Sequence, residues 1–398
     1  MDNALLGQVA LSYCPITDRQ RNVTATRLTV FALNPNQALD AGALLAAVGS
    51  VWPSGGSKVA LSVRSESLLA DLLAAKPAEN IMIEVPAFMA SDPAHTLSIG
   101  GLYAKGNTLL ISGRPTQPVP RDLLPCFKYS IIDLADDRRL DETAQSGVPR
   151  SIGFYQDGVR TVADMEGAFR RGAVAVLGWP IDDFVSGASG NGKKGVRPDL
   201  QIMVELINRV EREEPIDRLE ATLKRDPMLA FKLMRYINSP AFGMSVEISS
   251  FSHAVMLLGY KRLKRWLALL LATASKDANQ RPVMFAAVRR GMLMEALAGR
   301  EASETVRSEM FICGVFSLLD RMFQEPFPDL LKTIPVPEGV YLALAEEAGP
   351  YAPFIKLTRA MEDGLLPDIR EAQEEAMMKT SEVNRALLVA LGMATQVD

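Results

Sequence analysis

The stretch SGASGNGKKGVR, Ser186 to Arg197, decides how the chain is read, because the character of the sequence changes across it. It is rich in glycine and serine, its only large apolar residue is Val196, and it matches a flexible linker. Before it, short apolar runs alternate with amphipathic stretches. Lys58–Val63, Asn80–Val85, Thr108–Ser112, Tyr129–Leu134 and Ala173–Leu177 each predict a buried strand. Ser65–Ala75 and Val162–Arg171 between them predict helices. Strand and helix in repetition indicate an α/β architecture with a parallel sheet. Strands that are apolar throughout are expected when both faces of that sheet are covered.

After the linker the pattern is helical almost to the end. Met203, Leu206, Ile207 and Val210 share one helical face, as do Leu229, Leu233, Tyr236 and Ile237. Leu263, Trp266, Leu267, Leu270 and Leu271 repeat the three/four spacing. Asp226–Pro227 supplies an N-cap followed by proline at the first helical position, and Gly259 and Pro282 mark breaks. The expected domains are 1–185, a linker at 186–197, and an all-α domain at 198–398.

At 398 residues the chain is long enough for two cores, and its composition is that of a globular protein. No uncharged apolar run reaches the length of a membrane span, and Met1–Asp18 has no signal-peptide pattern. A cytoplasmic protein without a membrane partner is the expectation. The three cysteines, Cys14, Cys126 and Cys313, lie far apart and read as buried free thiols. A net charge of −4 argues against non-specific nucleic-acid binding.

Only two histidines are present, His95 and His253. A metal-dependent hydrolase of the histidine–aspartate type needs several imidazoles converging on its metals, so that class is disfavoured. Neither histidine accompanies a recognisable nucleophile motif.

The segment KRDPMLAFKLMRYINSPAFGMSVEISSFSHAVMLLGYKRLKRW resembles the HDOD domain, a non-catalytic relative of HD-type phosphohydrolases. Its landmarks are Asp226–Pro227, Asn238–Ser239 with Phe242–Gly243, and His253–Ala254 leading to Leu258–Gly259. Under this resemblance Ser317 and Leu318, within an expected helix from Phe311 to Met322, take the place of the metal-binding doublet, leaving Asp320 as a solvated helix residue. The basic run Lys261, Arg262, Lys264, Arg265 has two readings. It is either the wet face of a packed helix or a contact for phosphate, RNA or a protein partner.

The first 180 or so residues more weakly resemble the EAL domain, the TIM-like barrel of cyclic-di-GMP phosphodiesterases. The resemblance places Arg27, in an expected strand from Val23 to Phe31, where the namesake glutamate is expected, Ser62 at an asparagine, and Ser112–Gly113 at an Asp pair. Ile131 stands for a lysine, and Leu177 for a glutamine. Glu84, Asp133 and Asp157 remain as acidic remnants. The region is short for a full barrel, so one or more strand–helix units are expected to be missing or reshaped.

Together the resemblances point to the EAL–HDOD (YuxH-like) proteins of bacterial signalling. They imply a degenerate TIM-like barrel followed by a helical HDOD domain, with no catalytic residue, no metal, no cofactor and no enzyme activity. They imply regulation through a protein partner. The alternatives are a metal-free cyclic-di-GMP site, with Arg27 or Arg114 on phosphate, and nucleic-acid binding through 261–265.

Overall fold

The computed structural model describes residues 4–114, 117–137, 152–182, 198–223, 225, 251–272, 281–323, 325–332, 334 and 336–394. The expected linker at 186–197 and the landmarks from Asp226 to Gly243 lie outside the described residues. Two compact units form: Met1–Asp183 with Lys356–Gly392, and Phe184–Ile355 with Met393–Asp398.

The first unit contains a closed barrel of eight strands in sequence order. They are β1 (Val9–Asp18), β2 (Val23–Ala32), β3 (Lys58–Val63), β4 (Ile81–Pro86), β5 (Leu109–Ser112), β6 (Phe127–Asp133), β7 (Gly153–Asp157) and β8 (Ala175–Leu177). The expectation of an incomplete barrel is therefore corrected. The economy lies in the connections: β1 and β2 form an antiparallel hairpin with no helix between them, and β8 is only 3 residues long. From β2 to β8 every neighbouring pair is parallel.

Helices α1 (Ala41–Val51), α2 (Glu66–Ala74), α3 (Ala87–Ala90), α4 (Thr96–Ala104) and α5 (Val162–Arg170) accompany the strands. Their starts are set by side-chain caps. Asp40 accepts from the N–H groups of Gly42 and Ala43, Ser65 from Leu68, and Thr161 from Asp164. Outward strand residues such as Leu28, Val59, Leu61, Ile83 and Val176 are fully buried.

The barrel interior is layered. Ala25, Ala60, Met82, Leu110, Ile131 and Tyr155 form an apolar layer with Ile16, Ala175 and Leu177. Two residues further along the same strands stand Arg27, Ser62, Glu84, Ser112, Asp133 and Asp157. Because side chains alternate with a period of two, each polar residue shares a face with the apolar residue below it. A polar layer thus caps an apolar one at the C-terminal ends of the parallel strands.

Since β8 pairs only with Ile16–Asp18 of β1, the rest of that edge needs other partners. Pro15 O accepts from Gly178 N at 3.4 Å, and Tyr13 O from Trp179 Nε1 at 3.4 Å. Asn384 completes the edge. Its Oδ1 accepts from Leu11 N at 3.1 Å, and its Nδ2 donates to Leu6 O and Val9 O at 2.8 and 2.7 Å. Residues Lys356–Gly392 thus belong with the barrel, which departs from the expected helical domain of 198–398. Helical periodicity identifies such segments as helices but does not say which core receives them.

The second unit is helical. It contains α6 (Pro198–Glu211), α7 (Ile216–Leu223), α8 (Phe251–Ala272), α9 (Arg281–Leu297), α10 (Glu304–Phe316), α11 (Leu319–Phe323), α12 (Phe327–Leu330) and α13 (Glu338–Ala345). The last three helices, α14 (Ala352–Asp363), α15 (Leu366–Glu375) and α16 (Thr380–Ala394), fall almost wholly in the first unit, and α16 carries Asn384. Helix α8 is interrupted at Gly259, whose φ of 69° is a conformation suited to glycine. Helices α9 and α10 touch through glycines: a Cβ on Gly314 would lie 2.4 Å from Arg290 O, and one on Gly291 would lie 2.4 Å from Val315 Cγ2.

The expected single helix from Phe311 to Met322 is two helices. The chain leaves α10 at Ser317, whose Oγ donates to Gly314 O at 2.7 Å and accepts from Arg290 Nη1 at 3.1 Å. That local bond competes with continuing the helix. Asp320 is half-buried rather than solvated.

Candidate binding site at the barrel mouth

A cleft of about 1050 Å³ opens over the polar layer and is lined by Arg27, Ser62, Glu84, Arg114, Asp133 and Asp157, among others. Ser112, Gly113 and Ile131 line it too, whereas Leu177 stands in the apolar layer below. The charged residues do not act alike within the cleft.

Arg27 is the hub. Its Nε donates to Glu84 Oε2 at 2.9 Å and its Nη2 to Glu84 Oε1 at 2.7 Å, a two-pronged pair. Nη1 donates to Asp157 Oδ2 at 2.7 Å. The Arg27 and Glu84 side chains are only 7% and 3% exposed, against 20% for Asp157. Burial alone would lower the Arg27 pKa; the charges of Glu84 and Asp157 outweigh it, and the pKa is raised. One cation thus compensates two carboxylates at the floor of the cleft.

Cys14 lies opposite Arg27 in the β1–β2 register. Burial pushes its thiol up to about 12, against the opposing pull of Arg27. Desolvation wins, so Cys14 is a neutral packing residue at neutral pH.

Asp133 and Arg114 are more exposed. Asp133 is exposed, and its Oδ1 accepts from Ala135 N at 2.8 Å. Arg114 is exposed and donates to the carbonyl of Asp136. Gly158, with φ 76°, turns the chain directly after Asp157 and lies beside the Asp133 carboxylate.

The basic run lies in the helical unit and is met by local partners. Lys264 pairs with Glu211, and Arg265 pairs with Glu295 while its guanidinium stands 3.8 Å from the centre of the Phe311 ring. Arg262 faces Glu304 at 4.0 Å, and Lys261 donates to Thr305 Oγ1 at 2.9 Å. Lys261 and Arg262 are exposed, whereas Lys264 and Arg265 are half-buried in their pairs. The His253 side chain lies outside what is described.

The sequence reading missed Phe88, which lines the cleft and is 52% exposed. It also missed the stacked pair Tyr129–Tyr155, with ring centroids 4.5 Å apart. A phenylalanine just after an apolar strand looks like one more core residue in sequence.

A family model described as the HDOD domain matches residues 198–324. The chain thus pairs a closed eight-stranded barrel with a helical region that matches the HDOD domain model. Among curated proteins it is 26% identical over 207 residues to "Cyclic di-GMP phosphodiesterase CdgJ" of Vibrio cholerae serotype O1, covering 48% of each chain. It is 26% identical over 162 residues to "Uncharacterized protein YuxH" of Bacillus subtilis, covering 40% of this chain and 39% of that one. The matches thus span less than half the length of these curated relatives. Among solved structures, "PaMucR Phosphodiesterase, c-di-GMP complex" aligns with 43% of this chain and 94% of its own at 16% identity and a TM-score of 0.32. A standalone EAL protein from Vibrio cholerae O395 in its c-di-GMP-bound form aligns with 43% and 90%, at 16% identity and a TM-score of 0.30.

The expectation that the chain is not an enzyme is corrected by the first of these relatives, which carries a phosphodiesterase name. Among the described residues no helix is long and apolar enough to cross a membrane.

Proposed function

We propose that this protein works in cyclic-di-GMP signalling and that the mouth of its EAL-like barrel binds the dinucleotide. The observation that carries this reading is the cleft itself. One opening at the C-terminal ends of the parallel strands gathers Arg27, Glu84, Arg114, Asp133 and Asp157 over an apolar barrel core. Barrels of this class place their ligand sites at that face. A volume of about 1050 Å³ stands at the top of the range of roughly 300–1,000 Å³ usual for small-molecule sites, as a ligand of two nucleotides requires.

The residues have distinct proposed roles. Arg114, exposed at the rim, meets a phosphate directly. Arg27 holds Glu84 and Asp157 in place at the floor. Asp133 offers a carboxylate to ligand N–H groups.

Calorimetric titration of the full chain with cyclic-di-GMP, at about 100 μM protein, tests the proposal. Saturable binding supports it, and absence of heat at that concentration refutes it. Chromatography of the same mixture for linear dinucleotide shows whether the bound molecule is also hydrolysed.

A further inference from the structure

We infer that Phe88 is a stacking shelf for a nucleobase, so that the cleft selects nucleotides over base-free phosphate compounds. This inference rests on the reading of the cleft as a dinucleotide site and adds which part of the ligand the wall recognises.

Helix α3 follows β4 directly and is a single short turn, Ala87–Ala90. Its other residues point into the protein: Ala87, Met89 and Ala90 are 2%, 1% and 0% exposed. Phe88 alone turns outward, 52% exposed, and it does so along the cleft. An exposed phenylalanine by itself needs no explanation. Its position does, because it is four residues beyond Glu84 on the same strand–helix connection, at the edge of a charged floor.

The cleft therefore has two chemically different parts. The floor and rim carry Arg27, Glu84, Arg114 and Asp157, and the wall carries Phe88 with Leu69 and Pro86. A ligand that satisfies both is planar and apolar at one end and anionic at the other. A nucleotide has that form; a sugar phosphate lacks the ring. Stacking on an aromatic face tolerates any base, with specificity left to polar groups at the base edge.

The test uses the full chain with Phe88→Ala and Phe88→Trp, substitutions at an exposed side chain that spare the core. Phe88→Ala is expected to weaken cyclic-di-GMP binding roughly tenfold to a hundredfold. Phe88→Trp is expected to retain binding. Its added fluorescence, relative to wild type, is quenched by cyclic-di-GMP and by GMP but not by ribose 5-phosphate. Unchanged affinity in Phe88→Ala overturns the inference, as does equal quenching by ribose 5-phosphate or none by GMP. If wild-type protein binds no cyclic-di-GMP while GMP still quenches Phe88→Trp, the dinucleotide reading falls and the shelf stands.

Discussion

Arg27 and Glu84 face each other across the barrel interior in a two-pronged ion pair, with donor–acceptor distances of 2.9 and 2.7 Å. Three strands converge there, since Glu84 comes from β4, Arg27 from β2, and Asp157, the third member, from β7. The pair is buried, so its members depend on each other more than surface ions do.

Replacing Arg27 with Met leaves Glu84 buried without its cation. The expected loss is about 3–5 kcal/mol in urea unfolding. Adding Glu84→Gln to Arg27→Met recovers a large part of that loss, because the uncompensated charge is gone. Equal stability of the single and double variants would show that the charge is not what matters.

The thiol of Cys14 has its pKa raised from 9.0 to about 12, chiefly by burial. The folded state therefore keeps the proton to higher pH than the unfolded state. The stability this contributes is present below about pH 9 and is lost as the pH rises toward about 12. Cys14→Ala is expected to flatten part of the alkaline decline in unfolding free energy. Iodoacetamide at pH 8.5 should leave Cys14 unmodified in native protein, as peptide mass mapping would show.

Asn384 satisfies three backbone groups, two on the open edge of β1 and one, Leu6 O, in the turn before it. Asn384→Leu keeps similar volume but leaves those groups buried and unpaired. A loss of roughly 2–4 kcal/mol is expected from chemical denaturation. Faster amide exchange at Leu11 than at residues paired with β2 would locate the effect at that edge.

Gly314 allows α10 to lie against the backbone of α9, and a Cβ there would sit 2.4 Å from Arg290 O. Gly314→Val is expected to destabilise the helical unit by at least ~2–3 kcal/mol, with limited proteolysis cutting there first. Gly100→Ala in α4 is the control for steric crowding, since a Cβ there meets nothing within 4 Å and the backbone is helical.

Much of this architecture is legible in the residues. Lys58–Val63 reads as a strand at the boundaries it has, because an unbroken apolar run has one good solution in a covered sheet. Strand β1 is not legible in the same way. Pro15 and the mixed polarity of VALSYCPITD hide a strand that pairs antiparallel on both sides. Strand β7, GFYQD, is 5 residues long and gives no periodic signal. Without these two strands the sequence reads as an incomplete barrel, whereas the barrel is closed.

The site is legible in part for a physical reason. Ala-x-Arg, Ala-x-Ser, Met-x-Glu, Ile-x-Asp and Tyr-x-Asp each put a polar residue one step above an apolar one on the inner face. That pattern marks where the polar layer lies, but not that Arg27 compensates both Glu84 and Asp157. The partnership comes from barrel closure, which brings residues 57 and 130 positions apart in sequence into contact. Nor does periodicity reveal that Asn384 serves β1, a partnership 373 positions apart.

The central claim is that the barrel mouth binds cyclic-di-GMP, and the most direct test is a paired calorimetric titration of wild type and Arg114→Glu. Arg114 is exposed at the rim and outside the buried ion pair, so its reversal spares the fold. The account predicts saturable binding by wild type and a loss of at least about tenfold in the variant, the cost of a charge-assisted contact. Absence of heat with wild type, or equal affinity in Arg114→Glu, would contradict it.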